Sequence, residues 1–147
     1  MPVSSLQLDG LVPHRPPMRL VDRVVSFDAA SRTLVAEAVG RREWGENWAA
    51  VEIMAQTAAA LAGACDRESG YTGAARPGFL LGTRKLELGF DRFEPGARYE
   101  VRAAVAYTDD ESASFDCELL RDGVRIASAT LNAYRPADMK AFMEERK

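Results

Sequence analysis

The sequence predicts an α+β fold in which an antiparallel sheet runs past one long central helix. The helix is predicted from residues 47–65, NWAAVEIMAQTAAALAGAC, because a segment that is apolar nearly all round forms a buried helix. After its first residue, its polar side chains are Glu52, Gln56 and Thr57. Two strand-like patterns precede this segment and four follow it. The 147 residues suit a single domain, residues 1–147, with a sizeable core.

The chain before the helix predicts a leader, a rigid loop and a β-hairpin. Residues 1–10 form the leader, and the prolines after it hold the next segment in a fixed loop. Leu20–Phe27 and Thr33–Val39 alternate like paired strands, joined by a turn at Asp28–Ser31. The charged segment Gly40–Gly45 is predicted to be a loop that leads into the helix.

Four further strands are predicted after a polar, glycine-rich loop that follows the helix. They are Phe79–Phe90, Arg98–Tyr107, Ser112–Leu120 and Val124–Tyr134. Gly82 indicates a bulge, or a close approach by a ligand or another backbone. Residues 137–147 are predicted to form an amphipathic terminal helix. Because one helix cannot cover every face of six strands, we expect two chains to pair, edge to edge or helix to helix.

Composition and motif content exclude several classes of function. A formal net charge of −3 argues against general nucleic-acid binding, which needs a basic surface. The N-terminal residues lack a signal-peptide pattern, so we expect a cytoplasmic protein. Neither a metal-ligand spacing nor a glycine-rich phosphate loop occurs, and Cys65 and Cys117 are predicted to be buried free thiols. The apolar helix approaches the length of a membrane span, but Glu52 and Gln56 would be costly inside one.

Glu52 is the anomaly of the predicted helix, and Gln56 lies one turn further on the same face. Two interpretations remain open. Glu52 either favours the helix N-terminus electrostatically, although Asn47 already offers a cap there, or is a catalytic carboxyl group. Burial in an apolar environment raises the pKa of a carboxyl group, which suits a general acid.

His14 is the only histidine of the chain, and it lies among Pro13, Pro16 and Pro17. A lone histidine is often a surface residue without a function. However, rigid backbone around an ionisable ring is typical of a residue that must be aimed at a target. His14 is therefore a second candidate catalytic residue.

Two motifs resemble those of a known family. Residues 11–22, LVPHRPPMRLVD, are similar to the L-x-P-H-R-x-P-x-x-L-V-D segment of hot-dog fold 3-hydroxyacyl-acyl carrier protein dehydratases. Residues 51–56, VEIMAQ, are similar to the E-x-M-A-Q segment of the same family. The usual H-F-P-G-x-P-x-x-P-G stretch before the helix is replaced here by GRREWGENWAA, residues 40–50. That departure resembles the small dehydratases of aryl-polyene and related polyketide-like pathways.

The resemblance implies a lyase that converts 3-hydroxyacyl thioesters on acyl carrier protein to trans-2-enoyl thioesters, in fatty-acid or polyketide-type biosynthesis. His14 would be the base and Glu52 the acid. Gln56, the first helical turn up to Val51 and Gly82 would contact the substrate. No metal or redox cofactor is expected, since the acyl chain arrives on a phosphopantetheine arm. The family also implies a dimer in which His14 of one chain meets Glu52 of the other.

Because carrier proteins are acidic, we expect a basic docking surface on this protein. The candidate docking residues are Arg76, Arg84, Lys85 and Arg135, although each fits equally well on an ordinary solvated face. Two other functions remain open. A hot-dog thioesterase would use the helix carboxylate without His14, and a non-catalytic subunit would complete a heterodimer with a second dehydratase subunit.

Overall fold

The computed structural model describes residues 19–70, 79–109 and 111–134. It contains a six-stranded antiparallel sheet and one long helix, α1, at Ala49–Glu68. In chain order the strands are β1 (Arg23–Asp28), β2 (Thr33–Val39), β3 (Phe79–Leu88), β4 (Arg98–Thr108), β5 (Ser112–Arg121) and β6 (Val124–Tyr134). A 3-10 turn at Arg42–Trp44 precedes α1. The predicted α+β fold, with two strands, a helix and four strands, is confirmed.

The sheet has the strand order β1-β2-β4-β5-β6-β3, so β1 and β3 form its edges. β3 pairs with β6 and changes register twice, between Leu80 and Gly82 and again between Arg84 and Glu87. The first change is the irregularity predicted from Gly82. At the second change, Lys85 has a positive φ of 54°, a backbone conformation that residues other than glycine rarely adopt.

Four of the six predicted strands, β1, β3, β4 and β5, have different bounds in the structure. β1 begins at Arg23 rather than Leu20, because the backbone before it bonds to a side chain of α1, and it ends at Asp28, one residue later than predicted. β3 ends at Leu88 rather than Phe90, whose carbonyl accepts a hydrogen bond of 2.8 Å from the side chain of Asn47. β2 and β6 have the predicted bounds, while β4 and β5 each extend one residue further.

The apolar core lies between the sheet and one face of α1, which packs against β2, β4, β5 and β6. On that face Ile53, Met54 and Leu61 are fully buried. The opposite face carries small, half-buried residues, namely Ala55, Ala59, Ala62 and Gly63. Within the described part of the chain, the helix is therefore fully covered on the sheet side only.

The cysteines differ in their surroundings. Cys117 is buried, and burial raises the pKa of its thiol to about 12. Cys65 is half-buried, so the prediction that both thiols are buried is wrong for Cys65, whereas neither cysteine forms a disulfide bond, as predicted. Across the described ranges, no helix is long and apolar enough to cross a membrane, and no cluster of acidic, histidine and cysteine side chains could hold a metal ion. The predicted leader and terminal helix lie outside these ranges.

Candidate active site

Gln56 is the buried polar residue around which the candidate site is built. Its side chain is on α1 and is 0% exposed. Its Oε1 accepts hydrogen bonds from the backbone N–H groups of Leu20 (2.7 Å) and Val21 (3.3 Å). Its Nε2 donates to Oε1 of Glu52 at 3.0 Å. One amide thus joins the segment before β1 to the carboxyl group of Glu52.

The orientation of the Gln56 amide follows from its partners. Two N–H donors face one end, so that end must be the carbonyl oxygen. The NH₂ end therefore faces Glu52, and the Glu52 oxygen that it meets acts as an acceptor. A proton on Glu52 accordingly belongs on the other carboxyl oxygen, Oε2. Gln56 thus distinguishes the two oxygens of the candidate acid.

Glu52 itself is half-buried, although the sequence predicted a dry environment for it. The reason is its position on the helix. The sheet covers one side of α1, and Glu52 lies at the margin of that buried side, one turn before Gln56. In the single chain, the carboxyl group is therefore held by a buried neighbour but is partly open to a ligand or to a second chain.

Residues 19–22, which end the motif that contains His14, are fixed at several points. Val21 is 1% exposed and belongs to the core. The backbone N–H of Asp22 donates to the Glu37 carbonyl at 2.9 Å, and Asp22 Oδ2 accepts from the Val39 N–H at 2.7 Å. Arg41 Nη2 donates to the Arg19 carbonyl at 3.0 Å and lies 3.7 Å from Asp22 Oδ1. Residues 19–22 are therefore a rigid anchor at the start of the described chain.

This anchor limits where His14 can lie. His14 is outside the described residues, and the candidate pair of His14 and Glu52 stays a prediction. His14 precedes Leu20 by six residues, which span at most about 20 Å when extended. Because Leu20 is bonded to the same glutamine that holds Glu52, this reach includes the helix carboxyl group of the same chain.

The loop that leads into α1 contains no proline but is held by another loop. The indole of Trp44 is 2% exposed and meets the Phe93 ring edge-on at a centroid distance of 5.1 Å. The N–H of Phe93 donates to the Gly45 carbonyl at 2.9 Å. Asn47 does not cap the helix as predicted. Its side chain bonds to Phe90 instead, and Trp48 is the N-cap residue without a side-chain hydrogen bond.

The first helical turn was predicted to offer backbone N–H groups to the substrate. The N–H of Ala50 is already engaged, because it donates to the Asn47 carbonyl at 3.1 Å, and Ala49 and Ala50 are fully buried. Val51 is half-buried beside Glu52. Of this turn, Val51 is therefore the residue that remains accessible for substrate binding.

Gly82 lies on edge strand β3, opposite Asn132 of β6. A Cβ atom at this position would meet no atom within 4 Å, so close approach by the chain's own backbone does not explain the glycine. The structure does not bring Gly82 together with Glu52. Its predicted contact with the substrate stays a prediction.

Two of the predicted docking residues are described, and both are exposed. Arg84 Nη2 donates to Asn132 Oδ1 at 3.4 Å on the outer face of the sheet, away from α1. The bulge turns Lys85 to the same face, where it lines a depression of about 550 Å³. The other charged residues that line it are Glu87, Arg102, Asp116, Glu118 and Arg125. This depression contains three cations and three carboxylates. Arg76 and Arg135 lie outside the described residues.

Sequence reasoning missed the anchoring roles of Asp22 and Arg41. Asp22 is part of the quoted L-V-D motif, and a conspicuous acid at the end of a rigid loop was the available signal. Arg41 gave no such signal. Its partners are the Arg19 carbonyl, the Asp22 carboxylate and the Trp44 ring, whose centroid lies 5.4 Å from the guanidinium carbon.

Comparison with solved structures shows the hot-dog fold. The dehydratase heterocomplex ApeI:P from Xenorhabdus doucetiae has a chain with a TM-score of 0.82 at 22% identity, covering 95% of this chain and 97% of that one. An HP0420 homologue from Helicobacter felis gives 0.68 at 11% identity, covering 94% and 92%. A mutant of thioesterase PA1618 from Pseudomonas aeruginosa gives 0.59 at 16% identity, covering 78% and 79%.

A search of curated proteins found no match. A family model does match, and its description is ApeP-like, ApeP dehydratase. The match runs over residues 6–144 and thus includes both motifs, at residues 11–22 and 51–56. Because it covers nearly the whole sequence, the chain belongs to the ApeP-like dehydratase family.

Proposed function

We propose that the protein dehydrates 3-hydroxyacyl thioesters carried on acyl carrier protein to trans-2-enoyl thioesters, in an aryl-polyene type of biosynthesis. The observation that carries the proposal is the hydrogen-bonded connection through Gln56. It joins Glu52 to the segment that follows His14. Membership of a dehydratase family supports the reaction class.

The reaction removes a proton from C2 and hydroxide from C3. The C2 proton is weakly acidic, so a base must be aimed at it, and an imidazole with a pKa of ~6.5 suits neutral pH. His14 takes this proton. The hydroxide leaves as water when Glu52 gives it a proton from Oε2, the oxygen that Gln56 does not face. Atoms balance, because the proton gained by His14 restores Glu52 through solvent.

Negative charge develops on the thioester oxygen as the C2 proton leaves. The N-terminal end of a helix carries a partial positive charge, so the first turn of α1 beside Val51 stabilises that charge. The elimination needs only acid–base groups. Accordingly, the proposal includes no metal or redox cofactor, and the substrate's only carrier group is phosphopantetheine.

The proposal includes a dimer with a shared site. In it, His14 of one chain faces Glu52 of the other, and the half-buried alanines of α1 meet the partner. The partner is a second copy or a related dehydratase subunit. The X. doucetiae structure is described as a heterocomplex, which favours the second candidate function, that of a subunit completing a heterodimer.

We expect His14→Ala and Glu52→Gln each to lower kcat/KM for a 3-hydroxyacyl pantetheine thioester by at least about 10²-fold, because each removes a general acid or base. Enoyl product formation is followed by absorbance. Glu68→Gln, which changes an exposed carboxylate at the other end of the same helix, serves as control and should keep full activity. Melting temperatures of all variants should stay close to the parent's.

A fully active His14→Ala variant would contradict the proposed mechanism. Release of free thiol by both the parent and His14→Ala would identify a thioesterase instead. If the purified chain is inactive but gains dehydration with a second subunit, the activity belongs to the heterodimer. Glu52→Gln in this chain then shows which subunit supplies the acid.

A site shared between two chains predicts that two inactive variants can restore activity in a mixed dimer. Unfolding and co-refolding His14→Ala with Glu52→Gln gives mixed dimers, in which one site lacks both groups and the other has both. We expect activity to reappear in this mixture. If mass spectrometry shows mixed dimers and the mixture stays inactive, each site uses residues of a single chain.

Docking of the carrier is predicted at Arg84 and Lys85, which the bulge in β3 presents on one face. Changing both to Glu should raise KM for a carrier-bound substrate and leave KM for a pantetheine thioester nearly unchanged. Salt should mimic this effect, because exposed charges are screened over ~8–10 Å at physiological ionic strength. Arg98→Glu, at an exposed cation on β4, is the matched control. An equal response of both substrates would exclude docking at this surface.

A further inference from the structure

The two tryptophans of the chain have opposite environments. Trp44 is 2% exposed within the aromatic cluster before α1, whereas Trp48 is 61% exposed at the N-cap of the helix. Exposing the large apolar surface of a tryptophan side chain to water is unfavourable relative to burying it. Trp48 is also not on an irregular loop, since its φ of −60° and ψ of −30° are helical.

The position of Trp48 relative to Glu52 is set by the backbone. Residues four apart on a helix are neighbours on the same face, with Cβ atoms about 5–6 Å apart. The segment cannot rotate freely, because the Asn47 side chain is bonded to the Phe90 carbonyl and the Asn47 carbonyl to the Ala50 N–H. The Cβ atom of Trp48 is therefore fixed one turn before the candidate acid, on the same face of the helix.

The opposite approach to Glu52 is filled by protein. One turn further along α1, Gln56 is fully buried, and its amide is hydrogen-bonded to Glu52, Leu20 and Val21. Val21 over it belongs to the core. Among the described residues, the first helical turn, where Trp48 and the half-buried Val51 lie, is therefore the side from which a ligand's reacting carbons can reach the Glu52 carboxyl group.

We propose that Trp48 is a specificity-determining residue that contacts the acyl chain of the substrate beside Glu52. The inference rests on the proposed function, because it takes the reacting carbons to lie at Glu52. An indole gains additional attraction from a planar π system through offset stacking, which a flexible saturated chain does not provide. Trp48 therefore favours conjugated acyl chains over saturated chains of equal length.

The test measures binding rather than turnover. Pantetheine thioesters of a conjugated polyenoyl acid and of the saturated acid of equal length are titrated by calorimetry into the parent and into Trp48→Leu. We expect Trp48→Leu to weaken binding of the conjugated thioester roughly 2- to 10-fold and of the saturated one much less. Tyr107→Leu removes another exposed aromatic side chain, 58% exposed near the far end of β4, and should change neither affinity.

Three results would overturn the inference. These are equal weakening of both thioesters in Trp48→Leu, unchanged affinity for both, and failure of the parent to bind either. A fall in dimer stability by ultracentrifugation with unchanged selectivity would show that a second chain, and not the substrate, covers Trp48. Selective binding without any dehydration by the parent would instead reject the proposed reaction and leave Trp48 as the selective contact.

Discussion

The carboxamide of Gln56 is the constraint on which the candidate site depends. It is fully buried, and its hydrogen bonds reach two backbone groups about 35 residues away in sequence and a carboxyl group one helical turn away. A typical hydrogen bond contributes about 1 kcal/mol net, but an unsatisfied buried partner costs about 1–3 kcal/mol. The segment before β1 and the side chain of Glu52 are therefore positioned by the same group, and neither can shift without the other.

The surrounding fold holds this amide in place from two directions. On one side, the ion pair and hydrogen bonds of Asp22 and Arg41 tie residues 19–22 to the end of β2 and the loop after it. On the other side, the segment after β3 holds the loop before α1, through the Trp44–Phe93 contact and the Asn47 side chain. These contacts fix the start of α1 without the proline-rich stretch of the usual dehydratases. The first helical turn is consequently a rigid platform.

The sequence predicted well those elements whose signals are local. β6 has its predicted bounds because Asp122-Gly123 adopts positive φ at both positions, as a tight hairpin turn requires. The predicted start of β1 was wrong because the backbone of Leu20 and Val21 bonds to Gln56 instead. Gln56 lies 35–36 residues away and gives no local signal. The helix was predicted from its long apolar run. Its half-buried face was not predicted, because the apolar pattern does not show which side of the helix the sheet covers.

The candidate site shows the same division. Glu52 and Gln56 were found from their spacing on one helical face, and their contact at 3.0 Å confirms that part. The double acceptance by Gln56 could not be predicted, because it depends on how Leu20 and Val21 are placed against the helix. The same holds for the positions of Arg84 and Lys85 on one face, since an ordinary strand would send consecutive side chains to opposite faces.

The most direct measurement of the central claim is hydrogen exchange at the backbone amides of Leu20 and Val21, in the parent and in Gln56→Leu. If Gln56 holds this segment, both amides are protected in the parent, and their exchange becomes roughly ten-fold or more faster in the variant. Amides in the β5–β6 pairing should keep their protection and so report an intact sheet. Unchanged protection of Leu20 and Val21 in Gln56→Leu would contradict the account.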